Sequence, residues 1–160
     1  MNKVGLKLGS LSLDVPFFEA SLSGYGDYNM RMFARRFGCV FALADVMLDK
    51  SVARAEILAK ACFQPGDDEH PVGAQLLGKT PATMAKAAKA LVAAGYDVID
   101  INCACPAPKV LRRRRGGALL DDPDAAIEVV KAVRDVVARP LLMKLRIGTD
   151  HSTRAEDNFW

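Results

Sequence analysis

The chain has 160 residues, 51% of them hydrophobic and 26% charged, with a formal net charge of +3. That composition supports one buried core and excludes both a disordered tail and a globally basic nucleic-acid binder, so a polyanionic partner would have to meet a local patch. No apolar run approaches the roughly 20 residues of a membrane span, the opening "MNKVGLKLGSLSLDV" has no long apolar stretch of the secretory kind, and the cysteines at 39, 62, 103 and 105 are not spaced as a disulfide framework, so a reducing, cytoplasmic setting with free thiols is expected.

In chain order, "LKLGSLSLDV" (6–15) alternates apolar and polar residues around Gly9-Ser10, the pattern of a short β-hairpin. "VPFFEA" (15–20) reads as a short strand and "SLSGYGD" as a loop. "YNMRMFARRFG" (28–38) has apolar residues at helical spacing and stops at Gly38. "CVFALADV" (39–46) is a continuous apolar run, typical of a strand buried on both faces. Cys39 within it and Cys62 read as small packing residues. Residues 50–62 have a helical pattern, and "FQPGDDEH" (63–70) is a turn-rich linker. "PVGAQLLG" (71–78) is the next strand, and Thr80-Pro81 supplies the N-cap and first position of a helix ending at Gly95. "DVIDIN" (97–102) is a strand, and Asp122-Pro123 repeats the capping device ahead of the helix "PDAAIEVVKAVRDVVA". "PLLMKLRIG" (140–148) is the fifth strand, and "RAEDNFW" reads as the start of a helix.

Strands alternating with helices predict an α/β fold with a parallel sheet. The glycine-rich phosphate fingerprints of nucleotide-binding sheets are missing. Instead, polar residues stand at the C-terminal ends of different strands: Ser21 and Ser23, Asp45, Gln75, Asn102 with Cys105, and Lys144 with Arg146. That is how a TIM (β/α)8 barrel builds its site. A full barrel needs about 250 residues. Residues 1–160 are therefore expected to form about the first five βα units of a catalytic barrel, the N-terminal part of a larger protein.

"INCACPAPKVLRRRRGG" (101–117) puts two thiols and four arginines in one loop. A zinc reading of Cys103 and Cys105 lacks further ligands at workable spacing around His70 or His151, so no metal is expected. Cys105, before Pro106 at a strand end, is either a structural thiol or a catalytic one, and Cys103 is expected to point into packing. Lys144, at the inner end of an apolar strand, needs a partner; Asp45, Asp100 or a bound cofactor would serve. Gln75 and Asn102 are either turn-capping amides or ligand contacts. The arginine run is either a solvated loop or a phosphate contact.

Taken together, these residues resemble the tRNA-dihydrouridine synthases, from about Leu6 to Asp150. "DINCACPAPKV…GGALLDDP" (100–123) is similar to that family's signature of Asn, a variable residue, Gly-Cys-Pro, Lys-Val and Gly-Ala-Leu-Leu before an Asp-Pro helix start. "QLLG" (75–78), "MKLRIGTD" (143–150) and "ASLSGYGDYNMR" (20–31) fall where the family has its Gln-Leu, Val-Lys-x-Arg-x-Gly and Ala-Pro-Met-Ala-Gly-Val-Thr-Asp segments. The resemblance implies a TIM barrel with FMN as cofactor, NAD(P)H as reductant and tRNA uridine as substrate, reduced to 5,6-dihydrouridine. It implies Cys105 as proton donor, Gln75 and Lys144 as FMN ligands, and Ser21, Leu22 and Ser23 against the flavin. Asn102 and Arg146 would sit near flavin or uracil, and Lys109, Arg112, Arg113, Arg114 and Arg115 would meet tRNA. The family's later FMN phosphate-binding elements would lie past Trp160. Two alternatives stay open: a related FMN barrel acting on a free pyrimidine, and a non-catalytic RNA-binding relative or truncated remnant.

The chemistry suits these residue types. The cofactor carries the redox work and the protein orients and protonates. A thiol with a pKa near ~8.5 is mostly protonated at neutral pH yet can give up its proton, as a general acid must. Two positions depart from the family pattern: Ser21-Leu22 replaces Pro-Met, freeing a fixed φ, and Ala104 replaces Gly. If position 104 requires positive φ, alanine there costs about 1 kcal/mol or more.

Overall fold

The computed structural model describes residues 5–147. An antiparallel hairpin, β1 (Leu6–Leu8) and β2 (Leu11–Leu13), precedes a parallel sheet of β3 (Ala42–Leu48), β4 (Val72–Leu77), β5 (Val98–Cys103) and β6 (Leu141–Leu145), in that spatial order. The connections hold α1 (Tyr28–Arg36), α2 (Asp49–Val52), α3 (Ala55–Leu58), α4 (Pro81–Ala93), α5 (Pro108–Leu111) and α6 (Pro123–Val136). Each sheet strand lies beside the next one in the chain. The order never reverses, as it does in a doubly wound sheet, and a barrel wall is built this way. Among the described residues the wall is not closed.

Register decides which residues share a face. Gln75 pairs with Asp100, Asp100 with Leu142, and Asn102 with Lys144. Because side chains alternate along a strand, these residues project from one face. Ala74, Leu76, Ile99, Ile101 and Cys103 project from the other, where they form the larger core with α4 and α6. On α4 the buried residues are Met84, Ala87, Ala88 and Leu91, a single stripe at helical spacing. Asp122 caps α6, its Oδ1 accepting from the Ala125 amide at 3.1 Å. Thr80 occupies the corresponding position before α4 but makes no side-chain cap bond.

The first face changes character along the strands. At their N-terminal ends Leu43 and Val98 join Leu13 and Phe41 in a smaller apolar cluster, with Leu6, Leu8, Leu11, Phe18 and Leu142 against it. The hairpin thus covers that end, its one fully buried leucine, Leu13, contributing about 1.5–3 kcal/mol. Gly73 makes room for this layer: a Cβ there would stand 2.5 Å from Leu43 Cδ2. At the C-terminal ends the same face carries the polar residues.

Three expected elements differ. "VPFFEA" makes only a single parallel bridge, Glu19 with Ala42. Pro16 lacks a ladder donor, and Phe18 packs into the hairpin cluster. The helix expected over 50–62 is broken into α2, α3 and a 3-10 turn, with Arg54 and Lys60 extended between them. Val52, Leu58 and Phe63 all pack on the core. Their spacings of six and five would scatter them around a straight helix. Cys62, read as a packing residue, is exposed on that turn. The apolar run expected as a strand over 39–46 becomes strand only from Ala42 and continues to Leu48, after the chain turns at Gly38 with φ +91°. The helix expected at "RAEDNFW" lies outside the described residues.

Candidate active site

Where the inner face turns polar, a cavity of about 590 Å³ opens at the C-terminal ends of the strands. Ser21, Leu22, Ser23, Gln75, Asn102, Cys105 and Lys144 all line it, joined by Asp100. Sequence reasoning gave Asp100 only as a candidate partner for Lys144. The sign of its larger role is a carboxylate two residues before Asn102 in a strand, hence on the same face.

A continuous hydrogen-bonded network crosses the cavity wall. Asn102 Oδ1 accepts the amides of Ala104 at 3.1 Å and Cys105 at 3.0 Å. Its Nδ2 donates to Gln75 Oε1 at 2.7 Å, and Gln75 Nε2 donates to Asp100 Oδ2. Two backbone donors can be met only by a carbonyl oxygen, so the network sets the orientation of both carboxamides. Burial raises the Asp100 carboxyl above its ordinary 3.8, opposed by the Gln75 hydrogen bond and the Lys144 charge. Lys144 itself is exposed at the rim.

The two cysteines of the loop are separated by environment. Cys103 is fully buried on the core face, and burial, aided by the charge of Asp100, pushes its thiol up to about 12. Cys105 is half-buried and lines the cavity. Its loop is tied down on three sides. Asn102 takes its amide, Arg146 Nη1 donates to Ala104 O at 3.1 Å, and the Gly117 amide donates to Cys105 O at 3.1 Å. Gly116 allows that last approach: its φ is +58°, and a Cβ on it would lie 2.9 Å from Cys105 O. Arg114 is the one non-glycine residue with positive φ among the described residues. Ala104 therefore carries none of the strain that a left-handed backbone would impose.

The segment facing the cavity from the other side is held as firmly. The amides of Tyr25 and Gly26 both donate to Leu22 O at 2.9 Å, and Gly24 N donates to Asp45 Oδ2 at 2.9 Å. Behind it, Arg31 Nη1 donates to Gly26 O at 2.6 Å while Nε and Nη2 engage buried Glu69. Ser21 Oγ is buried without a hydrogen-bond partner.

The remaining expected site residues scatter around this centre. Arg146 stands outside the lining and acts on the loop backbone. Arg112, Arg113 and Arg114 are exposed, as is Lys109 on α5. Arg115 turns inward: it is buried, with Nη2 3.8 Å from Asp49 Oδ1. The run is thus not one uniform solvated patch. Among the described residues no group of three or more His, Cys, Asp or Glu side chains could hold a metal ion, and no helix is long and apolar enough to cross a membrane.

A parallel wall with a thiol, two carboxamides and a lysine converging at its strand ends is the arrangement on which barrel folds build their sites. The family model described as dihydrouridine synthase matches residues 19–159. The chain is 34% identical over 146 residues to a probable tRNA-dihydrouridine synthase of Rhodobacter capsulatus, covering 91% of this chain and 45% of the relative. It is 33% identical over 153 residues to one of Treponema pallidum, at 92% and 45%. With the tRNA-dihydrouridine(20/20a) synthase of Escherichia coli K12 it shares 43% identity over 84 residues, at 52% and 24%. The chain belongs to the dihydrouridine synthase family. It spans about half the length of the curated relatives it matches over most of its own.

Proposed function

We propose that the protein containing this chain reduces uridine in tRNA to 5,6-dihydrouridine, with FMN as cofactor and NAD(P)H as reductant. The observation that carries this reading is the convergence of Ser21 to Ser23, Gln75, Asn102, Lys144 and Cys105 on one cavity, within a chain of the dihydrouridine synthase family.

The lining fits a flavin. Leu22, Leu43 and Val46 offer apolar wall, Gln75 and Lys144 offer polar contacts at the strand ends, and Ser21 Oγ is an unpaired buried hydroxyl beside the cavity. Gln75, Lys144 and the Ser21–Ser23 segment would hold the cofactor. Bound there, FMN would supply the hydride chemistry that links NAD(P)H to the uracil 5,6 double bond. The chain's own part is orientation and protonation. Cys105 Sγ gives its proton to C5 of the uracil. Asn102 fixes the Cys105 loop through two amide bonds, and Gln75 fixes Asn102. The three-sided tethering of the loop pre-positions the acid, which is where a general acid gains its effect.

The test is single-turnover oxidation of pre-reduced, full-length enzyme by tRNA. Cys105→Ala should keep its flavin and its reduction by NAD(P)H but lose about 10²–10⁴-fold in uridine reduction. Cys103→Ala should stay within a small factor of the native rate. A dead Cys103→Ala, or an active Cys105→Ala, would overturn the assignment.

A further inference from the structure

Beside the first cavity lies a second of about 340 Å³, and Ser23 and Val46 wall both. Three cations, Lys109, Arg113 and Arg115, line it against the apolar side chains of Leu48, Leu77 and Val110. No carboxylate of the described residues lines it. Arg115 is only 9% exposed, and its Nε has no hydrogen-bond partner. The 3.8 Å from its Nη2 to Asp49 Oδ1 exceeds hydrogen-bond reach. The buried Asp49 carboxylate thus offsets the charge at ion-pair distance, but the Nε donor stays unsatisfied, a cost that an acceptor oxygen would remove.

We infer that this second cavity seats a single phosphodiester group of the polynucleotide, next to the nucleotide whose base enters the first cavity. The inference rests on the proposed action on tRNA. The chemistry is that of a phosphate site: planar guanidinium donors plus one lysine point charge, with the one carboxylate near them, Asp49 beside Arg115, standing outside the walls. Contiguity of the two cavities suits one nucleotide held at its base and at an adjoining phosphate. The seat and the proton donor also share one turn, since the Arg115 amide bonds to Val110 O at 3.3 Å and the Gly117 amide to Cys105 O at 3.1 Å. A phosphate captured by Lys109, Arg113 and Arg115 therefore sets where the base lies relative to Cys105. Arg112 and Arg114 do not line the seat, and their charges act as general attraction on the polyanion.

The test uses full-length flavoprotein carrying Lys109→Ala with Arg113→Ala, both exposed positions, so the fold should survive. Lys89→Ala with Lys131→Ala, exposed on α4 and α6, is the charge-matched control. The substrates are tRNA and tRNA with one uncharged methylphosphonate on either side of the uridine that the native protein converts. One of the two methylphosphonates should weaken binding to native protein about tenfold or more. The Lys109/Arg113 variant should bind native tRNA comparably weakly and be insensitive to that methylphosphonate, the non-additivity expected of directly interacting partners. Its log–log salt slope should drop by about one relative to the control. Flavin reduction by NAD(P)H without tRNA should not change. Penalties that multiply, or indifference of native protein to both methylphosphonates, would overturn the seat. Slowed reduction by NAD(P)H would assign the cavity to a nicotinamide phosphate instead and overturn it equally. If native protein makes no dihydrouridine at all, the functional reading falls, and the seat with it.

Discussion

Asn102 is the residue on which the geometry of the Cys105 loop most depends. Replacing it with alanine deletes the acceptor for two backbone amides, those of Ala104 and Cys105, and the donor to Gln75 Oε1. Each buried polar group left unsatisfied costs about 1–3 kcal/mol. Asn102 is 7% exposed and Gln75 4%, so the orphaned Gln75 oxygen bears most of its penalty. The two amides border the cavity, where solvent partly replaces the lost bond, and count for less. We expect Asn102→Ala to lose about 2–3 kcal/mol of stability in chemical denaturation. The amide of Cys105 should exchange its hydrogen markedly faster. Asn102→Asp separates the two effects: a carboxylate still accepts both amides but cannot donate to Gln75, so the loop should stay protected while stability still falls. Hydrogen exchange resolved at Cys105, alongside urea titration, reads both. Unchanged exchange at Cys105 in Asn102→Ala would refute the idea that Asn102 holds the loop.

Gly116→Ala should displace the Cys105 loop, because φ +58° is strained for alanine and its Cβ would meet Cys105 O and Cβ at 2.9 and 3.0 Å; a loss of about 1–2 kcal/mol, or more, with faster alkylation of Cys105, checks it. Arg31→Ala leaves Glu69, 0% exposed, without its bidentate partner; thermal or urea unfolding should show a loss of about 3–5 kcal/mol. Cys103 should resist iodoacetamide at pH 8 in folded protein, since its thiol, pushed from an ordinary 9.0 up to about 12, stays protonated. By linkage the folded state then holds a proton that the unfolded chain releases, so stability should fall as pH rises from about 9 toward 12. Cys103→Ala should flatten part of that slope, and the raised phenols of Tyr96 and Tyr28 contribute to what remains.

The parts of the fold legible in the sequence were those that one periodicity governs. β4, β5, α4 and α6 fell within a residue or two of their expected places because two-sided apolar runs and capped amphipathic stretches have few competing readings. The segment over 50–62 did not, since its helical propensity is local while the packing of Val52, Leu58 and Phe63 is tertiary. "VPFFEA" misled for a similar reason. Apolar content suggested a strand, yet Phe18 is apolar for the hairpin cluster and not for a ladder. Gln75, Asn102, Cys105 and Lys144 could be grouped from sequence because polar residues at the ends of neighbouring parallel strands share one end of the sheet, and all four line the first cavity. Arg115 was not separated from Arg112 to Arg114, because a run of like residues carries no periodicity to reveal that the last one turns inward.

Phe18 gives the hairpin a consequence beyond stability. Its ring lines the first cavity and also packs on the apolar cluster beneath, 5.1 Å from the ring of Phe41. The cavity therefore has a floor, and one side chain sets its height. A smaller residue at 18 would merge the chamber with the layer below and admit a longer occupant, leaving the polar rim of Gln75, Asn102 and Lys144 untouched. Depth and chemistry are thus written in separate stretches of the chain: Phe18, propped from below by the leucine-rich hairpin, limits how far a ligand can sink, and strands much later decide what happens to it.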